Sequence, residues 1–288
     1  MIEVDLAVVE SYLSKLFSSK VEIEGVSQLG KEKKSSEELK GFGYGLPYLI
    51  EFKMKGETRK AVLETVKPSS FGHEHFSDRA QILLWQHSAF NKLPKHVKSI
   101  DVGAFTAKGE MVSVGDCKEF FILTELAEGR LYHKDLDRIH IEGILKETDI
   151  DRCIALSNYL ALIHSKKGSP NLYVRRIREL VGHGECVMGI IDSYPKDAAF
   201  VEPEELKYIE KLCVEWRWKL KDLTYRCRQI HGDFHPWNIL FREGCDFTVM
   251  DRSRGEYGEP ADDVTAMTIN YLFYSLRRSG RLEDPFKR

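Results

Sequence analysis

Apolar residues near the start of the chain recur at helical spacing. Val4, Leu6, Val8, Val9, Tyr12, Leu13, Leu16 and Phe17 fall on one side of a helix over residues 3–17. Residues 21–29 then alternate apolar and polar, which predicts a strand. The charged run over residues 31–40 reads as a solvated connector. Apolar runs at 49–54 and at Ala61, Val62, Leu63 and Val66, joined by a turn at 55–58, predict a hairpin. Residues 77–90 read as a helix capped by Ser77 and Asp78. Strand-like pieces follow at 99–105 and 111–114, and residues 120–125 form a continuous apolar run that predicts a buried strand. Beyond residue 130 the pattern turns helical, at 148–164, 203–226 and 264–276, with helix and loop mixed over 170–195. Trp216 and Trp218 are expected in the core.

Composition narrows the class. At 288 residues and 42% hydrophobic content the chain buries a sizeable core, as one large domain or two smaller ones. A net charge of -2 gives no argument for a nucleic-acid or membrane partner. The first residues lack the basic stretch and apolar core of a secretory signal. No uncharged run approaches the roughly 18 apolar residues of a membrane span. The six cysteines are scattered, with no Cys-x-x-Cys pair, so reduced, mostly buried thiols in a cytoplasmic protein are expected. There is no internal repeat and no low-complexity linker.

The candidate chemistry sits in His231-Gly232-Asp233-Phe234-His235-Pro236-Trp237-Asn238, followed by an apolar run that ends at Asp251. Phosphoryl transfer from ATP needs a carboxylate to orient the acceptor hydroxyl and take its proton. It also needs an amide oxygen and a second carboxylate to hold Mg²⁺. Asp233 is read as the base, and Asn238 and Asp251 as the metal ligands. His231, Asp233 and His235 at alternate positions also suit a hydrolase metal cluster, but that needs further His ligands and none follows His235. Upstream, Gly41, Gly43 and Gly45 precede the hairpin. Such glycines let backbone amides approach phosphates, and they equally suit a plain turn.

These residues resemble the aminoglycoside phosphotransferase and choline kinase family. Its catalytic loop, His-Gly-Asp-x-His-x-x-Asn, is matched at every fixed position by residues 231–238. A strand closing on the metal-binding Asp is matched by 247–251. The family's Gly-Asp/Glu-Pro-Ala-x-Asp is matched by Gly258-Glu259-Pro260-Ala261-Asp262-Asp263. The resemblance implies an α+β, bilobal protein-kinase-like fold. Residues 1–126 would form a small antiparallel-sheet N-lobe with one crossing helix and the hinge. Residues 127–288 would form a mainly helical C-lobe with the catalytic loop and acceptor site. It implies ATP and Mg²⁺ as cofactors, Gly41, Gly43 and Gly45 over the phosphates, and adenine on the backbone of Glu125 to Ala127. It also implies a small-molecule hydroxyl acceptor, with no nucleic acid or membrane partner. His231 and His235 would hold Asp233 in place.

Two departures stand out. Where the family reads Val-Leu-Lys or Val-Leu-Arg, this chain has Val62-Leu63-Glu64, and a carboxylate there repels phosphate. Arg79 falls where the crossing helix usually carries Glu, so either a sign-reversed Glu64–Arg79 pair forms, or the alignment is off by one residue and Glu64 lies on the solvent face. Arg79, Lys40 or Lys53 would then neutralise the phosphates. The chain also continues for only 25 residues past Asp263, where family members add several helices. A more open acceptor pocket, or one closed by a partner subunit, is expected. Two functions follow: a small-molecule kinase, or a nucleotide-binding or scaffolding pseudokinase disabled by Glu64. Glu185, Asp192, Glu202 and Asp262 suit a cationic acceptor, while Arg175, Arg176 and Arg178 suit an anionic one. Arg252 and Arg254 either steady the transferring phosphoryl or are surface charges.

Overall fold

A computed structural model of the chain describes residues 5–29, 47–70 and 72–288. Gly41, Gly43, Gly45 and Lys40 therefore lie outside the described residues. The chain divides into two compact units, Met1–Leu123 and Thr124–Arg288, each mixing helices with small antiparallel sheets.

In the first unit, helix α1 (Leu6–Leu16) begins where the Asp5 carboxylate accepts from the Ala7 amide at 2.9 Å. Strands β1 (Val21–Gln28), β2 (Tyr48–Met54) and β3 (Glu57–Leu63) form one antiparallel sheet in that order. Lys55 and Gly56 both take positive φ, 51° and 86°, and Met54 pairs with Glu57. This two-residue turn has the backbone twist that matches the strands it joins. Alternation sends Ile50, Phe52 and Met54 to one face, where they bury against Val9, Leu13 and Val21. The other face is charged: Lys60 pairs with Glu51, and Lys53 lies 4.0 Å from Glu24.

Helix α2 (Phe76–Phe90) and the hairpin of β4 (Gly103–Phe105) and β5 (Met111–Ser113) complete the unit. The cap of α2 lies two residues earlier than expected: His75 is the N-cap, and Asp78 reaches back to its amide at 2.7 Å. The run at 120–125 is not a strand. Its apolar character fits a buried strand, but a strand needs a ladder partner and none pairs with it among the described residues. Phe121, Ile122 and Leu123 are instead 86–91% exposed.

The second unit opens with β6 (Arg130–Leu131), α3 (His133–Glu142), α4 (Glu147–His164), α5 (Pro170–Gly182), α6 (Val187–Asp192) and α7 (Pro203–Leu220). Then come β7 (Arg228–Gln229), β8 (Ile239–Phe241), β9 (Phe247–Val249), β10 (Tyr257–Gly258) and α8 (Ala261–Ser279). The order β6-β8-β9 makes one antiparallel sheet, and β10 pairs with β7. The core joins Leu136 and Ile139 of α3, Leu156 and Leu160 of α4, Phe234, Ile239, Phe241, and Met267 and Tyr274 of α8. Helix α7 ends at Leu220, not at 226; a separate 3-10 turn, Thr224–Arg226, follows it. Trp216 and Trp218 are more than half exposed, correcting their expected burial. Lys219 and Lys221 lie over their rings, which are covered by cations and not by core. Among the described residues no helix is long and apolar enough to cross a membrane.

Candidate active site

The turn between Asn238 and Asp251 is built by strand pairing. Strand β8 starts directly after Asn238 and pairs with β9, Ile239 opposite Val249. The ladder extends one step further, where the Asn238 carbonyl accepts from the Met250 amide at 2.9 Å. Asn238 and Asp251 thus leave the same end of the hairpin. Asp251 has φ 56°, in the left-handed region. A non-glycine residue there stores roughly 1–3 kcal/mol of strain, the kind of outlier that clusters at functional sites.

Phe234 anchors the loop beside it. Its ring is fully buried and stacks on Tyr159 with centroids 5.8 Å apart. The residues on either side, Asp233 and His235, are partly exposed. The Asn238 amide Nδ2 donates to the Asp233 carbonyl at 3.1 Å and to its Oδ2 at 3.4 Å. That commits the nitrogen to Asp233 and leaves Asn238 Oδ1 as a free acceptor. His235 Nδ1 accepts from the Trp237 amide at 3.2 Å, so its Nε2 carries the proton and sits 3.5 Å from Asp233 Oδ2. Arg254 Nη1 lies 3.3 Å from Asp233 Oδ1. His231 is buried, accepts from the Asp233 amide at 3.3 Å, and has its pKa lowered chiefly by that burial.

Behind the loop stands Asp263, fully buried in the first turn of α8. It accepts from the amides of His231 and Gly232, both at 2.8 Å, and its Oδ2 lies 2.9 Å from His164 Nε2. Glu259 is held by Tyr173 at 2.9 Å and by Arg226 through two bonds of 2.6 Å. Burial raises the Glu259 pKa, but the bonds from Arg226 and Tyr173 outweigh it and the net direction is down. A lowered carboxyl pKa stabilises the fold fully above the unfolded value of 4.5, and that stability is lost as pH falls through the folded value. Glu259→Gln should therefore flatten the fall in melting temperature below that pH. An unchanged acid slope in the variant would count against the assignment.

The Glu64–Arg79 pair does not form. Glu64 is exposed, and the Arg79 guanidinium folds back onto the carbonyls of His73, Glu74 and His75 at 3.0, 3.3 and 2.9 Å. Three backbone acceptors near its own helix outcompete one solvated carboxylate. Lys53 lies beside Glu24. Two of the three arginines read as acceptor ligands are occupied: Arg175 bonds Glu179 at 2.6 Å, and Arg176 is buried with Asp262, while Arg178 is exposed. Arg252 braces the loop through the carbonyls of Ile230 and Glu256.

Among the described residues no group of three or more His, Cys, Asp or Glu side chains converges to hold a metal, which removes the hydrolase cluster. Asp251 and Asn238 Oδ1 are hard oxygen donors, and Mg²⁺ is held by one or two carboxylates together with substrate phosphates. The donor set fits Mg²⁺. Asp263, His164, Arg176 and Arg226 were not singled out from sequence for these roles. Asp263 had a signal as the last residue of the third motif, and His164 as the end of a stretch, 160–164, that resembles the family's central helix.

No protein-family model and no curated protein matches the chain. Among solved structures it is similar to the streptomycin–ATP ternary complex of APH(2")-IIa, at 14% identity and TM-score 0.32, over 92% of this chain and 76% of that one. It is likewise similar to the gentamicin complex of APH(2")-IIa, at 15% identity and TM-score 0.34, over 94% and 76%. These are aminoglycoside phosphotransferase structures, the family that the three motifs resemble. A superposition this loose fixes neither a site nor an activity.

Proposed function

We propose that the chain transfers the γ-phosphoryl group of ATP to a hydroxyl of a small molecule. One observation carries this reading: Asp233 and Asn238 are bonded to each other, and the β8–β9 hairpin brings Asn238 and Asp251 to one end. In the mechanism, Asp233 accepts a hydrogen bond from the acceptor hydroxyl and takes its proton as the new O–P bond forms. The bond between the γ-phosphorus and the bridging oxygen breaks, and ADP leaves. Arg254 and Asn238 hold the Asp233 carboxylate in one rotamer throughout. Asn238 Oδ1 and Asp251 would hold Mg²⁺, which when bound neutralises phosphate charge. Glu125 to Ala127 would meet the adenine edge, and Gly41, Gly43 and Gly45 would cover the phosphates.

The test is a thermal shift with ATP, with and without Mg²⁺, alongside turnover over aminoglycosides, choline, ethanolamine, homoserine and sugars. Ligand at a hundredfold excess over Kd stabilises by about 2.7 kcal/mol. In Asp251→Ala the increment due to Mg²⁺ should vanish while the shift with ATP alone persists. An equal Mg²⁺ increment in that variant would remove Asp251 from the metal site. Absence of ATP turnover across the whole panel would sink the reading.

A further inference from the structure

The buried arginine of α5 touches both loops that shape the site. We propose that Arg176 is a positioning residue for the transfer reaction, a single strut that sets Asp233 and Arg254 against each other. This rests on the phosphoryl-transfer reading above.

Arg176 is 3% exposed, and its fork is spent in three directions. Nη2 donates to the Gly232 carbonyl at 3.0 Å, and Nη1 donates to the Arg254 carbonyl at 2.7 Å. Nε and Nη2 donate to Asp262 Oδ2 at 3.1 and 2.5 Å. The Gly232 carbonyl belongs to the same peptide as the Asp233 amide, which is bonded to His231. The peptide unit that launches Asp233 is thus held at both ends, by Arg176 and by His231. Gly232 has φ 86°, a direction that a side chain resists, and Asp263 bonds its amide. The same guanidinium fixes the backbone of Arg254, whose side chain then meets Asp233 Oδ1 at 3.3 Å.

A second observation is independent of these bonds. A Cβ on Gly258 would lie 2.6 Å from Arg176 Cγ, so the glycine leaves room for the arginine stem. The glycine that opens the third sequence motif therefore serves this strut. Lysine is no substitute at position 176. Its single nitrogen cannot span two carbonyls and a carboxylate in the fixed geometry of the fork.

Arg176→Lys should lower kcat by about 100-fold, the scale of a small displacement of catalytic groups, with KM for ATP unchanged. Because Arg176 acts through Arg254, adding Arg254→Ala should cost less in the lysine variant than in wild type. Hydrogen exchange on the full chain should quicken in peptides covering 230–234 and 252–256 and nowhere else. Wild-type kcat in the lysine variant, fully multiplicative losses, or exchange that rises evenly along the chain would each overturn the proposal. If the lysine variant does not fold, Gly258→Ala displaces the same stem and carries the same readouts. Wild-type kcat and exchange there would overturn the proposal as well. If the wild-type protein transfers no phosphoryl group, the functional reading fails, while the exchange data still decide whether Arg176 ties the two loops.

Discussion

Asp233→Ala lowers kcat for phosphoryl transfer by about 10²- to 10⁴-fold, the usual worth of a positioned general base. KM for ATP should stay near wild type, because in the proposed mechanism Asp233 meets the acceptor hydroxyl and not the nucleotide. The melting temperature should also hold. The Asp233 side chain keeps 14% exposure and its Arg254 partner 33%, so the arginine regains water when the carboxylate is lost. The Phe234 ring that anchors the loop is untouched by the change. Asp233→Asn is the sharper control. It keeps the volume and an acceptor oxygen but cannot take the proton. Similar losses in the two variants identify proton transfer as the lost step. A variant with alanine that turns over at the wild-type rate removes Asp233 from the mechanism.

The candidate site was legible in the sequence because its three motifs have local physical signatures. Phe234 is an apolar residue between the polar Asp233 and His235, and it is the one of the three that is fully buried. The hairpin at 48–63 was legible from alternation around Lys55-Gly56. What was not legible depended on partners distant in sequence. The run at 120–125 has the composition of a buried strand, but pairing decides, and its residues are exposed. Helix α3 was missed because only Leu136 and Ile139 are apolar and buried, and the buried Asp135 is satisfied by Arg152 at 2.5 Å. Arg79 sat at the expected position, yet three carbonyls beside its own helix claimed it. Arg176 reads from sequence as a ligand for an anionic acceptor, because no local pattern announces an arginine whose partners lie 56 to 86 residues away.

Asp263→Ala is expected to cost about 3–5 kcal/mol, the scale for removing one partner from a buried charged network. Three groups lose their acceptor at once: the amides of His231 and Gly232, and His164. Each buried donor left unsatisfied costs about 1–3 kcal/mol. The side chain is fully buried, so no water replaces it without opening the start of α8. Asp263→Asn tests whether charge or shape matters. The amide offers one acceptor oxygen where the carboxylate offers two, and the carboxylate uses both: Oδ1 for Gly232, Oδ2 for His231 and His164. Either orientation of the amide sets an N–H against an N–H, so the isosteric variant should also be destabilised, by a smaller amount. In thermal melts both variants should fall below wild type, alanine furthest. They should also lose activity at temperatures where they are still folded, because the backbone that launches Asp233 is no longer held. An asparagine variant with wild-type melting and activity would mean that packing, and not the two-oxygen clamp, fixes the loop that carries Asp233.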